Sequence, residues 1–84
     1  MKIKYFVYIL RSQKNDKTYV GYTSDLQGRI RQHNENMGGY TRNRGPWDLI
    51  WYGVFDSQEL AEKFESYLKS GSGIAFAKKR LMRG

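Results

Sequence analysis

The chain has 84 residues, with 15 lysines and arginines, eight acidic residues and no cysteine. This length corresponds to one domain, spanning residues 1–84, near the lower limit for a single unaided hydrophobic core, and the missing cysteine excludes a disulfide framework, a thiolate zinc site and a cysteine nucleophile. The net charge of +7 favours a polyanionic partner such as nucleic acid, although a basic surface that only improves solubility is the alternative.

The first two predicted elements are β-strands joined as a hairpin. Runs of β-branched and aromatic residues predict strands over residues 5–10 and 17–22. The polar stretch between them is short enough for the two strands to pair in antiparallel fashion.

A helix is predicted next, over residues 25–36, with Ser24 as its N-cap. Gly38 and Gly39 end it, and residues 40–46 form an irregular basic loop. The apolar stripe of this helix follows helical spacing and consists of Leu26, Ile30, His33 and Met37.

The second half of the chain predicts one strand and two helices. Residues 48–55 are apolar on both faces and are therefore predicted to form the central strand. Asp56 and Glu59 form a predicted capping box for a helix over residues 57–69. Its predicted buried face consists of Leu60, Ala61, Phe64 and Leu68. Residues 70–73 break the chain, and a short last helix extends to about Met82.

These elements predict an α+β fold in which about three helices flank a small three-stranded antiparallel sheet, because so few strands cannot cover their own two faces. No apolar run approaches the roughly 20 residues that a membrane-spanning helix needs. The N-terminus passes directly into a strand without a small-residue cleavage site, unlike a signal peptide. We therefore expect a cytoplasmic protein that does not associate with membranes.

Two tripeptides of the predicted hairpin resemble the paired motif of the GIY-YIG nucleases. Phe6-Val7-Tyr8 lies on the first strand, and Tyr19-Val20-Gly21 lies on the second. The similarity continues through Arg29 and His33 on the first helix to Glu65 on the second, and it covers residues 4–70. Within the family, the chain is most similar to small stand-alone members that resemble the N-terminal nuclease domain of the bacterial excision-repair C subunit.

The resemblance implies a metal-dependent endonuclease that hydrolyses phosphodiester bonds in DNA, with a structure-specific or repair-related role. It implies Mg²⁺ or Mn²⁺ as the cofactor and Glu65 as the metal ligand. The catalytic residues that it implies are Tyr8, Tyr19, Arg29 and His33. The alternative is a module on the same fold that binds nucleic acid without efficient cleavage.

The chain departs from the family pattern at two points. Phe6 stands where the family name has glycine, and no asparagine follows Asn43, although many family nucleases have one after the glutamate. The role of that asparagine is therefore empty or is filled by Ser70 or Ser72.

The residues themselves suggest matching chemistry, each with a simpler alternative. Arg29 borders the apolar stripe, where its planar fork suits two phosphate oxygens, but it could equally be a surface arginine paired with a carboxylate. Glu65 could hold Mg²⁺ together with water and a substrate phosphate, or only pair with Lys69 four residues on. His33 could hydrogen-bond a phenol or water, or simply be half buried.

Tyr8 and Tyr19 are expected to lie on adjacent strands, where either could orient or deprotonate a water molecule. A phenol pKa near 10 makes a poor base at neutral pH, and we expect nearby positive charge to lower it. The sequence does not assign the two roles, and both tyrosines could instead belong to the core.

Contacts with nucleic acid are predicted in the basic loop and in the C-terminal segment, which contains no acidic residue after Ser66. The predicted binding residues are Arg42, Arg44, Lys69, Phe76, Lys79, Arg80 and Arg83. Phe76 is expected either to stack on unpaired nucleotides or to pack against a neighbouring element or a second copy of the chain, which would form a weak homodimer.

Overall fold

The computed structural model describes residues 2–35 and 44–82. Its elements are, in chain order, β1 (Tyr5–Ser12), β2 (Thr18–Thr23), α1 (Leu26–Asn34), β3 (Trp47–Phe55), α2 (Gln58–Leu68) and α3 (Gly71–Arg80). The predicted α+β class is confirmed, with three antiparallel strands and three helices among these residues. The predictions about Met37, Gly38 and Gly39 lie outside the described residues.

β1 is the central strand of the sheet, whose order is β2-β1-β3. Val7, Tyr8, Ile9 and Leu10 are all buried, so β1 is covered on both faces. The prediction that the third strand is central is therefore wrong, since β3 forms an edge where Tyr52 and Val54 are about half exposed. Both strands are apolar on both faces, and apolarity alone does not establish which of them has two neighbours.

The alternation of side chains along β1 divides the core into two layers. Val7 and Ile9 point to one face, where they pack with Ala61 and Leu68 of α2 and Ala77 of α3. Tyr8 and Leu10 point to the other face, which α1 covers through Leu26 and Ile30. The register of β1 therefore places Tyr8 under α1.

α1 begins one residue later than predicted. Asp25, and not Ser24, is its N-cap, and the Asp25 carboxylate accepts a hydrogen bond from the Gly28 N–H at 3.1 Å. The buried Thr23 hydroxyl accepts a hydrogen bond from the Asp25 N–H at 3.0 Å, so the end of β2 fixes the start of α1.

The cap of α2 also differs from the prediction. Ser57 is the N-cap and accepts from the Leu60 N–H at 3.1 Å, whereas Asp56 forms an ion pair with Lys4. The predicted capping box of Asp56 and Glu59 is therefore wrong. Leu60 is 55% exposed and does not belong to the buried face, because the face that contacts the sheet is centred on the other predicted members, Ala61, Phe64 and Leu68.

Residues 70–73, predicted as a break, instead form the start of α3. The Ser70 hydroxyl caps this helix, accepting from the Gly73 N–H at 3.1 Å and donating to the Tyr67 carbonyl at 2.6 Å. Gly73 is buried where the start of α3 crosses the end of α2, and a Cβ there would overlap the Tyr67 carbonyl. The missing side chain therefore allows the two helices to pack closely.

None of the helices among residues 2–35 and 44–82 has the length and apolarity that crossing a membrane requires.

We expect Gly73→Ala to lower the free energy of unfolding by about 1 to 3 kcal/mol, the usual cost of forcing an extra methyl into a packed site. Backbone atoms occupy the space that the new methyl would need, so the helices must separate. Gly71→Ala is the matched control, because a Cβ at Gly71 meets nothing within 4 Å. Urea denaturation of both variants measures the difference, and equal stabilities would contradict this account of the crossing.

Candidate active site

Three aromatic side chains named by the sequence analysis meet on the α1 side of the sheet. The ring centroid of His33 lies 5.9 Å from that of Tyr8 and 5.0 Å from that of Tyr19. The Tyr8 hydroxyl lies 3.0 Å from Nε2 of His33, and both residues are almost completely buried. One proton therefore lies between the phenol oxygen and the imidazole nitrogen, inside the protein.

The environment keeps both partners of this hydrogen bond neutral. Burial raises the pKa of Tyr8 well above its usual range, and the neighbouring Tyr19 adds to the shift. Burial also lowers the pKa of His33 from 6.5, and the positive charge of Arg29 lowers it further. At neutral pH, the pair is thus an un-ionised phenol and an un-ionised imidazole.

The Tyr8 pKa is opposite to our expectation that nearby positive charge would lower it. Arg29 does act in that direction, but the desolvation of the buried phenol is the larger effect. The family resemblance suggested which charges lie near Tyr8, but it did not give the depth at which the hydroxyl is buried.

Arg29 lies on the exposed surface of α1, one turn before His33. Its charge acts on the pKa of both Tyr8 and His33, which places the guanidinium near the buried pair. Because the Tyr8–His33 pair is neutral, it does not compete with a phosphate anion for the positive charge of Arg29. The exposed guanidinium can therefore bind a phosphate group that approaches from solvent.

Glu65 approaches the same site from α2. Its side chain is only 16% exposed, and its Oε2 lies 2.9 Å from Nζ of Lys69, one turn later. The same ammonium lies 5.9 Å from the centroid of the Tyr19 ring. The carboxylate also acts electrostatically on Tyr8, raising its pKa. Lys69, predicted as a contact for nucleic acid and as the alternative partner of Glu65, thus lies within the site.

The donor set fits a magnesium-type ion better than zinc. No group of three histidines or carboxylates that could hold a metal occurs in the described part of the chain. Mg²⁺ is usually bound through one or two carboxylates together with waters and substrate phosphates, so the single Glu65 carboxylate suffices. This carboxylate already attracts one cation, the Lys69 ammonium.

Gly21 makes room for the buried tyrosine. It lies directly opposite Tyr8 in the pairing of β1 with β2. A Cβ at Gly21 would come within 2.6 Å of the Tyr8 hydroxyl oxygen and 3.1 Å of the Tyr19 ring. Any side chain there would push the phenol away from His33, which gives a physical reason for glycine in the second tripeptide.

Two polar side chains that the sequence analysis missed connect the elements that carry the site residues. Asn34, at the end of α1, accepts from the Trp47 N–H at 2.6 Å and donates to the Trp47 carbonyl at 3.3 Å. The buried Ser12 hydroxyl donates to the Arg44 carbonyl at 2.6 Å. These bonds connect α1 to the first residue of β3 and β1 to the segment just before β3. No local sequence pattern predicts either contact.

The remaining predicted binding residues are dispersed. Lys79 and Arg80 are exposed on α3, and Arg44 is exposed just before β3. Phe76 packs its ring 6.0 Å from that of Tyr67 of α2 and remains 37% exposed, which corresponds to packing against a neighbouring element. Arg42 and Arg83 lie outside the described residues. Their contacts with nucleic acid, like the homodimer, stay predictions.

The Ser70 hydroxyl caps α3, where it donates its one proton to the Tyr67 carbonyl and accepts from the Gly73 N–H, so it has no donor left for another contact but keeps one acceptor lone pair. Ser72 is exposed on the first turn of that helix and is the remaining candidate of the two for donating a hydrogen bond in place of the missing asparagine.

A family model described as the GIY-YIG catalytic domain matches residues 4–76. A UPF0213 protein of Streptococcus pyogenes serotype M5 is 46% identical over 68 residues, which cover 79% of this chain and 72% of that protein. A UPF0213 protein of Clostridium perfringens is 40% identical over 65 residues, covering 76% and 69% of the two chains. The solution structure of a UPF0213 protein from Bacillus halodurans is 33% identical, with a TM-score of 0.57 over 93% of this chain and 86% of that one.

We expect Gly21→Ala to raise the pKa of His33 toward 6.5, because displacing Tyr8 opens the buried pair to water. His33 is the single histidine of the chain, so an NMR titration of its ring signals reports this pKa without ambiguity. Gly53→Ala is the control, since a Cβ there meets Trp51, which packs with the other core layer. Equal His33 titrations in wild type and Gly21→Ala would contradict the role given to Gly21.

Proposed function

The chain belongs to the GIY-YIG catalytic domain family, and we propose on this basis that it is a metal-dependent endonuclease that hydrolyses phosphodiester bonds in DNA. The observation that carries the proposal is the buried hydrogen bond between Tyr8 and His33, with Arg29 and Glu65 close enough to act on the Tyr8 hydroxyl electrostatically. A neutral pair can move a proton, a cation can bind the negative charge that develops on phosphate, and a carboxylate can hold a divalent metal ion, and each of these contributes to phosphodiester hydrolysis.

Tyr8 and His33 are proposed to move the proton of the attacking water. As the water oxygen bonds to phosphorus, its proton passes to the Tyr8 oxygen while the Tyr8 proton passes to Nε2 of His33. The bond from phosphorus to the leaving oxygen breaks, that oxygen receives a proton from solvent, and His33 returns its additional proton to solvent. Tyr8 never becomes a free phenolate, which agrees with its raised pKa.

Arg29 is proposed to bind the phosphate that is attacked. Negative charge grows on the non-bridging oxygens as the water adds, and the planar guanidinium can donate two parallel hydrogen bonds to them. Its position one turn before His33 places this charge beside the proton-transfer pair.

Glu65 is the residue that would hold Mg²⁺ or Mn²⁺. When bound, such an ion polarises the phosphoryl group and stabilises the leaving oxygen. Lys69 neutralises the carboxylate and can turn to a substrate phosphate when Glu65 takes another cation.

A module that binds nucleic acid without efficient cleavage is the second candidate, favoured by one specific observation. The single proton of the Ser70 hydroxyl is donated to the Tyr67 carbonyl, so Ser70 cannot donate a hydrogen bond as the amide of an asparagine can. Assays on nicked, flapped, branched and single-stranded DNA with Mg²⁺, Mn²⁺ or EDTA separate the two functions, because only the nuclease cleaves.

We expect Glu65→Gln to abolish cleavage while leaving the affinity for DNA nearly unchanged, since it removes the only metal-binding charge assigned to the site. Single-turnover assays and binding titrations measure these two effects.

Arg29→Ala should lower kcat by about 100-fold or more with little change in KM, because the charge of Arg29 acts on the transition state. Steady-state assays measure both constants.

Matched controls for these variants lie on the same helices. Glu59→Gln changes an exposed carboxylate of α2 that pairs with Lys63, and Arg31→Ala removes an exposed arginine of α1. Both should cleave normally. Wild-type cleavage that survives EDTA, or activity in Glu65→Gln, would overturn the metal assignment, and a rise in KM alone for Arg29→Ala would make it a docking residue.

The pH dependence of the cleavage step tests the proton path. His33 must be neutral to accept a proton, and its pKa is lowered from 6.5. The rate constant for cleavage should therefore be constant between about pH 6.5 and pH 9 and should decrease at lower pH, where His33 becomes protonated. Tyr8→Phe keeps the ring but should cost roughly 100-fold or more, as loss of a general base does. A rate that instead climbs steadily through pH 9 would indicate a phenolate base and contradict the relay.

A further inference from the structure

A groove of about 440 Å³ lies between the β2 edge and α3, directly beside the candidate active site. Its lining comes from β2, from the C-terminal end of α2 and from the segment that extends from α3 to Met82. Its volume falls within the roughly 300 to 1,000 Å³ that is typical of small-molecule sites. None of the roles assigned so far uses this groove as a binding site.

The lining combines an aliphatic interior with cations and no carboxylate. Leu68 and Ala77 are buried, whereas Ile74 is 43% exposed to solvent. Lys69 and Lys78 are both exposed and supply the positive charge. An occupant with a flat apolar body and an attached anion would therefore match both parts of the lining.

The groove is continuous with the active site through Tyr19 and Lys69. Tyr19 lines the groove and also packs its ring against that of His33, with centroids 5.0 Å apart. Lys69 lines the groove and also contacts the Glu65 carboxylate at 2.9 Å. An occupant of the groove is thus a close neighbour of whatever phosphate the active site binds.

We propose that this groove binds one unpaired nucleotide next to the phosphate that is cleaved. Its base would lie on the aliphatic interior, and its phosphate would face Lys69 and Lys78. This inference rests on the proposed nuclease function and narrows its substrate to DNA with an unpaired residue at the cleavage position.

A fully paired duplex fits the groove poorly. Its bases are stacked and paired, and one of them would have to flip out of the helix, which costs a few kcal/mol and costs least where the base is already unpaired. The groove therefore favours flaps, frayed ends and single strands over intact duplex.

Binding measurements in the Glu65→Gln background test the groove apart from cleavage. The probes are a fluorescein-labelled DNA duplex with a five-nucleotide thymidylate flap and the same duplex without the flap. Ile74→Gln should weaken binding of the flapped probe by roughly tenfold, within the usual range for losing one base contact, and leave the plain duplex unchanged. Lys78→Glu should also weaken binding of the flapped probe selectively, because Lys78 lines the groove. Its control is Lys63→Glu, which makes the same charge change at an exposed α2 residue outside the groove.

A single abasic residue, moved in turn through the flap, identifies the bound base. At one flap position the abasic probe should lose the same affinity as Ile74→Gln, and the two changes together should cost no more than either alone. Losses that are equal on flapped and plain duplex, or additive with every abasic position, would overturn the proposal.

Methyl NMR locates the contact directly. Titration with pentathymidylate should shift the methyl signals of Ile74 and Met82 and leave those of Leu60, an exposed residue of α2 outside the groove, in place. Shifts caused by an extended acidic peptide but not by pentathymidylate would overturn the proposal in favour of peptide docking along β2. If Ile74→Gln and Lys78→Glu bind and cleave the flapped DNA as the wild type does, only the groove proposal is overturned. If the protein binds the flapped probe selectively but cleaves no DNA, the groove proposal is supported and the nuclease function is contradicted.

Discussion

The burial of one tyrosine hydroxyl on the central strand is the constraint on which the site depends. A hydroxyl taken out of water without a partner costs free energy, and His33 supplies the partner of Tyr8. This bond determines where α1 must lie over the sheet, and it requires a residue without a side chain at Gly21 on the neighbouring strand. The packing of α1 on the sheet and the glycine at position 21 are therefore both linked to this one contact.

The fold class was accessible from the sequence, because strand alternation and helical spacing are local properties. The grouping of Tyr8, Tyr19 and His33 followed from the resemblance to the GIY-YIG nucleases, since local spacing alone left all three as possible core residues. Strand order was not accessible from the sequence, since the apolar faces of β1 and β3 look alike until the helices cover them. The caps at Asp25 and Ser57 were missed by one residue, because adjacent polar residues compete for the same position and backbone geometry selects between them.

The direction of the Tyr8 pKa shift could not be predicted from the sequence for a different reason. The resemblance to the GIY-YIG nucleases brings Arg29 near Tyr8, but the direction of the Tyr8 pKa shift follows from the depth of burial, which only the packed structure defines. Lys69 illustrates the same limit. Its pairing with Glu65 is visible as a four-residue spacing, whereas its approach to the Tyr19 ring depends on how α2 crosses the edge of the sheet. The result is a neutral buried pair with the charged side chains of Arg29 and Lys69 exposed beside it.

The central place of β1 also has a consequence for how the chain folds. Its pairing with β2 links residues that are near one another along the chain, but its pairing with β3 joins Tyr5 to Phe55. During synthesis, the hairpin can close early, while the second side of β1 stays unpaired until β3 has been made. An apolar strand with one open edge is prone to pair with other chains, so the interval between the synthesis of β2 and that of β3 is when this protein is most exposed to aggregation.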